Sequence, residues 1–298
     1  MFVDNAPVVH TWITHVHKEK GLFLDLIGES NNIPDEIRKS LAMSADLLWT
    51  LSLIIDDITD VDVVRGGLEV AWQKYGTQES MASATECLQR LLKYLAVKTC
   101  NPQVAYDGVQ YVQMGINSLE EHRHMTLGTS VGEIVRNYER RCDFHATFQL
   151  LTMARLTGKE EEMQTAAAGL RYINQAGQLI NDLKDFVGGD LYARGFSDIS
   201  RSVPTVPIRY MVDGLQGADK VKFRSLLGHT LNSEDMGFLV GAIKRSGVVD
   251  RTVQRICDCY RSGLGYIAQI VTPFNYVWFE RWYNYKMDSF NKSIENYE

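Results

Sequence analysis

Two acidic clusters lie inside otherwise apolar stretches of this chain. Residues 56–60 (DDITD) follow the run 47–55 (LLWTLSLII), and residues 181–185 (NDLKD) follow 177–180 (GQLI). On a helix, acidic residues at these spacings lie on one side, so each cluster forms a carboxylate patch. Two such patches facing across a cavity would repel each other unless cations lay between them. Hard divalent ions with oxygen ligands, Mg²⁺ above all, suit this arrangement and bind substrate phosphates. The predicted substrate is therefore a diphosphate.

One cluster alone would be typical of a solvated helix face. The apolar residues that lead into both clusters favour burial instead. The chain has 298 residues, 45% of them hydrophobic, and a formal charge of −6 without a basic block. This charge argues against nucleic acid or an anionic membrane surface as partner. No apolar stretch is long enough for a membrane span, and residues 1–7 do not begin a secretory signal. We therefore expect a soluble cytoplasmic protein.

Helical periodicity dominates the sequence. A helix is predicted to begin after Pro34 and to carry apolar residues through Ile55, so that Asp56 and Asp60 lie near its C-terminal end. Breakers such as Gly66-Gly67 and Gly188-Gly189 separate further helical segments. There is no convincing strand alternation, and the five scattered cysteines do not have metal-ligand spacing. The sequence predicts one all-α domain over residues 1–298, with the aromatic residues at 276–285 on a docked terminal helix.

Residues 52–66 (SLIIDDITDVDVVRG) resemble the first aspartate-rich motif of head-to-tail isoprenyl diphosphate synthases, especially the eukaryotic geranylgeranyl diphosphate synthases. Residues 178–185 (QLINDLKD) resemble the second motif. The resemblance extends from about His17 to Pro207. It implies an enzyme, a prenyltransferase with the isoprenoid-synthase fold: an all-α, single-domain helical bundle around a deep central pocket. It also implies a homodimer and three Mg²⁺ ions held between the two motifs.

The resemblance also assigns roles to individual residues. The residues that it implies as metal ligands or their supports are Asp56, Asp57, Asp60, Asn181, Asp182 and Asp185. Arg65 would bind the allylic diphosphate, with support from Gln178. Two further arginines would also bind the allylic diphosphate: Arg141, which stands where the family usually has a lysine, and Arg201, which could replace a later lysine whose position is taken by Val203. Magnesium and arginine would stabilise the leaving diphosphate while an apolar pocket protects the allylic cation from water.

The acceptor end departs from the family pattern. Chain-elongating members hold isopentenyl diphosphate with a Gly-Lys-x-x-Arg segment and the second arginine of an Arg-Arg-Gly run. A gap-free alignment through Pro34 places His17 at the lysine, Lys20 at the first arginine and Gly66 at the last one. Guanidinium is a planar bidentate phosphate clamp that neither lysine nor glycine reproduces. We therefore expect a different acceptor, held by His17, Lys18 and Lys20.

One group of relatives fits this combination. Fungal indole-diterpene prenyltransferases, enzymes of secondary metabolism, resemble geranylgeranyl diphosphate synthases but join the geranylgeranyl chain to C3 of indole-3-glycerol phosphate. That aromatic acceptor carries one phosphate monoester rather than a diphosphate. Leu51 and Ser52 lie one helical turn before Asp56, so both are predicted to line the donor tunnel. A C20 donor is expected by resemblance.

Three alternatives stay open. The first is an ordinary geranylgeranyl or farnesyl diphosphate synthase that uses isopentenyl diphosphate. The second is a class I terpene cyclase, although its second motif needs Asn, Ser or Thr, and Glu at four-residue steps, whereas Asn181 and Asp185 are followed by Gly189. The third is a regulatory subunit without activity of its own. Such subunits usually lose metal ligands, and both acidic clusters survive in this chain.

Overall fold

The protein is described by a computed structural model that covers residues 8–9, 19–65, 67–143, 145–187 and 196–294. This part of the chain is almost entirely helical, with a single two-stranded hairpin, which confirms the predicted all-α class. The helices are α1 Glu19–Ser30, α2 Asp35–Asp60, α3 Ala71–Tyr75, α4 Thr77–Lys98, α5 Gln103–His124, α6 Val131–Asp143, α7 Thr147–Thr157, α8 Glu160–Val187, α9 Ser197–Ser200, α10 Val206–Gly214, α11 Gly217–Leu226, α12 Ser233–Ser246, α13 Val248–Ile267 and α14 Pro273–Ile294. The hairpin strands are β1 Val64–Arg65 and β2 Leu68–Glu69.

The chain divides into two compact units. The first unit contains Met1–Met114, Asp143–Ala167 and Ile270–Asn275, and the second contains Gly115–Cys142, Ala168–Gln269 and Tyr276–Glu298. Each unit is described by itself below. The single domain over residues 1–298 and its central pocket therefore stay predictions. None of the helices in the described ranges has the length and apolar character needed to cross a membrane.

Helix α2 organises the first unit, where it packs against α1, α3, α4 and α7. It begins directly after Pro34, as the sequence predicts, with Asp35 and Glu36 in a first turn where the helix dipole favours negative charge. Most of its apolar residues are buried, but one stripe is only half-buried. This stripe consists of Trp49, Ser52, Leu53, Asp56 and Asp60, which follow one another at helical spacing. The stripe ends at the first acidic cluster.

A glycine sets the close approach of α1 to α2. The backbone N–H of Gly21 donates a hydrogen bond of 2.8 Å to Oδ1 of Asp46. A Cβ atom at position 21 would lie 2.7 Å from the backbone oxygen of Ala42 and closer still to the Asp46 carboxylate. The first turn of α1 can therefore lie directly against α2 only when residue 21 has no side chain.

The second unit contains most of α8 and the helices α9 to α13, with α10 packed against α12 and α13. Within the terminal helix α14, Phe279 is buried, and the rings of Trp282 and Tyr283 contact Tyr260 of α13 edge-on. These contacts agree with a docked terminal helix. Other members of the same aromatic stripe are exposed, Trp278 over 46% and Tyr285 over 63% of its surface. The aromatic residues of 276–285 therefore lie on both sides of α14.

Candidate active site

The first acidic cluster forms the last turn of α2, and its aspartates have different surroundings. Asp56 and Asp60 lie on the half-buried stripe, whereas Asp57 is only 1% exposed. The helix ends at Val61, whose backbone adopts the left-handed conformation and whose N–H donates to the carbonyl of Asp57. The side chains of Asp56 and Asp60 accordingly lie half-buried in the last turns of α2.

A hairpin folds Arg65 back onto this cluster. β1 pairs with β2 in antiparallel register, with Val64 opposite Glu69, and Nε1 of Trp72 donates to the carbonyl of Asp62 at 2.7 Å. The Arg65 guanidinium donates from Nε to Oδ1 of Asp57 at 2.6 Å and from Nη2 to Oδ2 of Asp56 at 3.0 Å. One guanidinium thus holds two adjacent carboxylates of the first cluster.

Burial and the charge of Arg65 change the pKa of Asp57 in opposite directions. Burial raises the pKa of Asp57 to about 6, and the charge of Arg65 opposes this rise. The second carboxylate oxygen of Asp57, Oδ2, has no hydrogen-bond partner among the described residues. Asp57 therefore acts mainly as the buried counterion of Arg65. Asp56 and Asp60 are the carboxylates of this cluster that are partly exposed.

The second cluster is centred on Asp182 of α8, which is 4% exposed. The hydroxyl of Tyr138, on α6, donates to Oδ2 of Asp182, and Nε2 of Gln178 donates to Oδ1 at 2.8 Å. The Tyr138 oxygen in turn accepts a 3.4 Å bond from the backbone N–H of Val206. Burial raises the pKa of Asp182 to about 6, and its two donors partly offset that rise. Burial and the neighbouring Asp182 charge raise the pKa of Tyr138 well above its usual value, so its phenol stays protonated.

The other members of the second cluster have separate roles. Asn181 is exposed on the surface of α8. Both carboxylate oxygens of Asp185 accept hydrogen bonds, from Oγ of Ser197 at 2.5 Å and from the backbone N–H of Asp198 at 3.0 Å. The backbone N–H of Phe196 donates to the Asp185 carbonyl at 2.9 Å. Asp185 therefore connects the start of α9 to the end of α8 through hydrogen bonds.

The two predicted diphosphate-binding arginines of the second unit lie near these aspartates. Arg141 lies with Nη1 3.4 Å from Nδ1 of His122, and its positive charge lowers the pKa of Asp182. Arg201 forms an ion pair of 3.2 Å with Asp198. Since the Asp198 backbone also binds Asp185, Arg201 is linked to the second cluster through a single residue. The structure therefore brings both arginines into the surroundings of this cluster.

The acceptor-end residues are described only in part, because His17, Lys18 and Gly66 lie outside the described residues. Lys20 lies in the first turn of α1, with its Nζ atom 5.2 Å from the centre of the Trp49 ring. Trp49 also contacts the ring of His145 at a centroid distance of 5.0 Å and an interplanar angle of 70°. The sequence interpretation had placed Lys20 in the acceptor site but had missed its contact with Trp49.

The two predicted donor-tunnel residues differ in burial. Ser52 is half-buried on the stripe that ends at Asp56, and its hydroxyl donates to the carbonyl of Trp49 at 2.7 Å. Leu51 is 4% exposed and packs in the core of the first unit. Burial alone does not test whether either residue touches a prenyl chain, so the tunnel assignment stays a prediction.

The structure supplies carboxylates for a metal but no complete ligand cage. In the part of the chain that the structure describes, no group of three or more His, Cys, Asp or Glu side chains is arranged to hold a metal ion. Mg²⁺ usually keeps several waters and binds through one or two carboxylates together with substrate phosphates. Asp56 and Asp60 offer this kind of incomplete oxygen ligand set. The donor set therefore fits a metal that binds together with a diphosphate.

Comparison with known families decides the classification. The profile of the polyprenyl synthetase family matches residues 20–238, a stretch that includes both acidic clusters and Arg65. The chain belongs to the polyprenyl synthetase family. It is accordingly a prenyltransferase. A comparison with curated protein sequences gives no match.

Solved structures agree on the fold. The decaprenyl diphosphate synthase of Rhodobacter capsulatus has a TM-score of 0.81 at 13% identity, over 99% of this chain and 92% of that chain. The geranylgeranyl pyrophosphate synthase of Corynebacterium glutamicum, complexed with isoprenyl diphosphate and magnesium, has a TM-score of 0.70 at 16% identity, over 93% and 88%. The polyprenyl synthase of Caulobacter crescentus, complexed with calcium and isoprenyl diphosphate, has a TM-score of 0.78 at 16% identity, over 91% and 84%. At these identities the likeness is one of fold.

Proposed function

We propose that this prenyltransferase moves a geranylgeranyl group from geranylgeranyl diphosphate to C3 of indole-3-glycerol phosphate, giving 3-geranylgeranylindole. The observation that carries the proposal is the contrast between the C-terminal end of α2 and the contact that Lys20 makes with Trp49, two helical turns earlier on α2. At its C-terminal end, Asp56, Asp60 and Arg65 form the arrangement expected for an allylic diphosphate. At the acceptor end, Lys20 lies over the indole of Trp49 in the position where the family has an arginine.

The donor half of the proposal relies on magnesium. Asp56 and Asp60 in the first cluster, and Asp182 with Asn181 and Asp185 in the second, would hold the ions, and three are expected by resemblance. Bound Mg²⁺ would neutralise the charge that develops on the departing diphosphate. Two solved relatives contain isoprenyl diphosphate together with a divalent cation, which supports the same combination here.

The protein's own residues have separate tasks in the donor half. Arg65 already binds two carboxylates of the first cluster through Nε and Nη2. Because a guanidinium matches phosphate geometry in a bidentate manner, Arg65 can also donate to the allylic diphosphate as its charge grows. Arg141, Arg201 and Gln178 support the diphosphate from the second cluster. The expected apolar pocket would keep water from the allylic cation.

The acceptor half needs an electron-rich carbon rather than a second diphosphate. The C1–O bond of the donor breaks and its electron pair leaves with the diphosphate. The indole C3 then forms a C–C bond to C1, and the positive charge moves onto the ring nitrogen. Loss of the side-chain hydroxyl proton to water lets the C3–side-chain bond break, and its electron pair restores the aromatic indole. The side chain leaves as glyceraldehyde 3-phosphate.

A competition assay tests the proposal. The purified chain is incubated with geranylgeranyl diphosphate, Mg²⁺ and equal amounts of indole-3-glycerol phosphate and isopentenyl diphosphate, and products are identified by mass. We expect 3-geranylgeranylindole, no product with EDTA, and less product when C10 or C15 donors replace the C20 donor. A C25 diphosphate as the main product would refute the indole acceptor. Asp56→Ala should abolish turnover, whereas Asp258→Ala, which removes an exposed aspartate of α13, should not.

Chain elongation with isopentenyl diphosphate is the second candidate. It is favoured by the family match and by the geranylgeranyl and polyprenyl synthases among the structural relatives. The same assay separates the two candidates, because they give products of different mass from one mixture. The homodimer, the cytoplasmic location and the place in secondary metabolism stay predictions.

A further inference from the structure

Trp49 is the one large aromatic side chain on the half-buried stripe of α2. The residues beside it on the helix, Leu47, Leu48 and Thr50, are buried, and so is most of the apolar face that packs against the rest of the first unit. Trp49 precedes Asp56 by seven residues, which is two helical turns, so both side chains lie on the same side of α2. The half-buried ring therefore lies on the side of the helix that carries the carboxylates.

We infer that Trp49 is the surface on which the ring of an aromatic acceptor stacks, and that Lys20 binds the phosphate attached to that ring. This inference rests on the proposed function and adds to it the residue that selects an aromatic acceptor. Aromatic rings pair favourably in offset-stacked or edge-to-face arrangements, and a tryptophan presents a large flat apolar area for such a pair.

One ring contact and one backbone hydrogen bond hold Trp49. The ring of His145, which is fully buried, meets it at 5.0 Å and 70°, in an edge-on arrangement. The Ser52 hydroxyl binds the Trp49 carbonyl and secures the backbone of the same turn. Burial and the charge of Lys20 lower the pKa of His145 well below its usual value, so the imidazole is neutral beside the tryptophan. A ring held in this way presents its surface with little loss of side-chain entropy on binding.

Lys20 supplies the charge that such an acceptor needs. Its ammonium lies 5.2 Å from the centre of the Trp49 ring, a distance typical of a cation–π contact. A phosphate attached through a short chain to a ring on Trp49 would therefore meet the ammonium. One lysine suits a phosphate monoester, whereas isopentenyl diphosphate has two phosphates and a five-carbon chain too small to use the indole surface.

Direct binding measurements test the inference without turnover. Calorimetry would compare indole-3-glycerol phosphate binding to the wild-type protein, Trp49→Phe, Trp49→Leu and Trp49→Ala, each checked by circular dichroism. We expect the Kd to rise about tenfold or more for Trp49→Leu and Trp49→Ala, which corresponds to about 1.4 kcal/mol or more. Trp49→Phe should stay within about threefold, because it keeps an aromatic ring. Trp278→Ala on α14 is the matched control, since it removes a tryptophan that is 46% exposed.

The outcomes separate this inference from the proposed function. Unchanged acceptor binding in both Trp49→Leu and Trp49→Ala would overturn the inference, even if the wild-type protein makes 3-geranylgeranylindole. Equal weakening of geranylgeranyl diphosphate binding would also overturn it, because Trp49 would then serve the donor. If the wild-type protein makes a C25 diphosphate while Trp49→Leu loses the aromatic phosphate, the proposed function fails and the stacking surface stands.

Discussion

The buried hydrogen bond between Tyr138 and Asp182 should measurably stabilise the second unit. Tyr138→Phe removes only the hydroxyl that donates to Oδ2 of Asp182, and leaves Gln178 as the remaining donor to this carboxylate. A hydrogen bond to a charged group contributes about 1.5–3 kcal/mol, and the partner left behind here is 4% exposed. The 3.4 Å contact from the Val206 N–H is long and adds little. We therefore expect the free energy of unfolding to fall by about 1.5–3 kcal/mol, with a melting temperature lower by roughly 3 to 12 °C.

Urea denaturation of the metal-free protein would measure this effect in a double-mutant cycle of Tyr138→Phe and Asp182→Asn. The Tyr138→Phe change should cost less in the Asp182→Asn background, because the charged acceptor is gone. Tyr172→Phe is a matched control: it removes a hydroxyl from a half-buried ring of α8 that stacks on Tyr266. A coupling energy near zero, or a Tyr138→Phe effect no larger than that of the control, would refute the reasoning. If Asp182 binds Mg²⁺, Tyr138→Phe should also raise the Mg²⁺ concentration needed for half-maximal activity about 10- to 100-fold.

Two further predictions concern the buried carboxylates. Arg65→Gln should lower the free energy of unfolding by about 3–5 kcal/mol, because it leaves the buried Asp57 without its counterion, and a compensating Asp57→Asn change should recover part of the loss in thermal melts. The pKa values of Asp57 and Asp182 are raised from 3.8 to about 6, so the native state binds more protons than the unfolded state between these values, and stability falls as pH rises through this window. In thermal melts with EDTA, each of the two carboxylates should lower the free energy of unfolding by up to about 3 kcal/mol between pH 4 and pH 7. Asp182→Asn should make this dependence of stability on pH less steep. A dependence as steep as that of the wild type would contradict the raised pKa of Asp182.

Helix α2 shows what could be predicted from the sequence. Its start after Pro34, its buried face and the position of Asp56 near its end follow from local periodicity and terminal residues, and the structure agrees. The partner of Asp182 could not be found in the same way. Tyr138 lies 44 residues earlier in the chain, and only the packing of α6 on α8 brings its hydroxyl to the carboxylate. Sequence periodicity identifies a buried face but not the residue that it meets.

For Arg65 and Trp49 too, the sequence shows the residue but not its contact partners, although these partners are closer in the chain. Arg65 was assigned to the substrate by resemblance, but its contacts with Asp56 and Asp57 depend on the hairpin of β1 and β2, for which the helical pattern gives no signal. Trp49 was visible only as one member of an apolar run. Its half-buried position and its contact with Lys20 arise from the packing of α1 against α2. In both cases the residue type was evident and its neighbours were not.

The glycine at position 21 limits which side chains the contact between α1 and α2 can accept. Gly21–Asp46 and Lys20–Trp49 are neighbouring contacts between the same two helices, one turn apart on α2. Any side chain at position 21 would force the helices apart and carry the lysine away from the tryptophan with them. Under the proposed function, the same helix contact would determine both the packing of α1 on α2 and the choice of acceptor. Substitutions at Lys20 and Trp49 could then change the acceptor while the helices keep their spacing, whereas a substitution at Gly21 would alter the spacing itself.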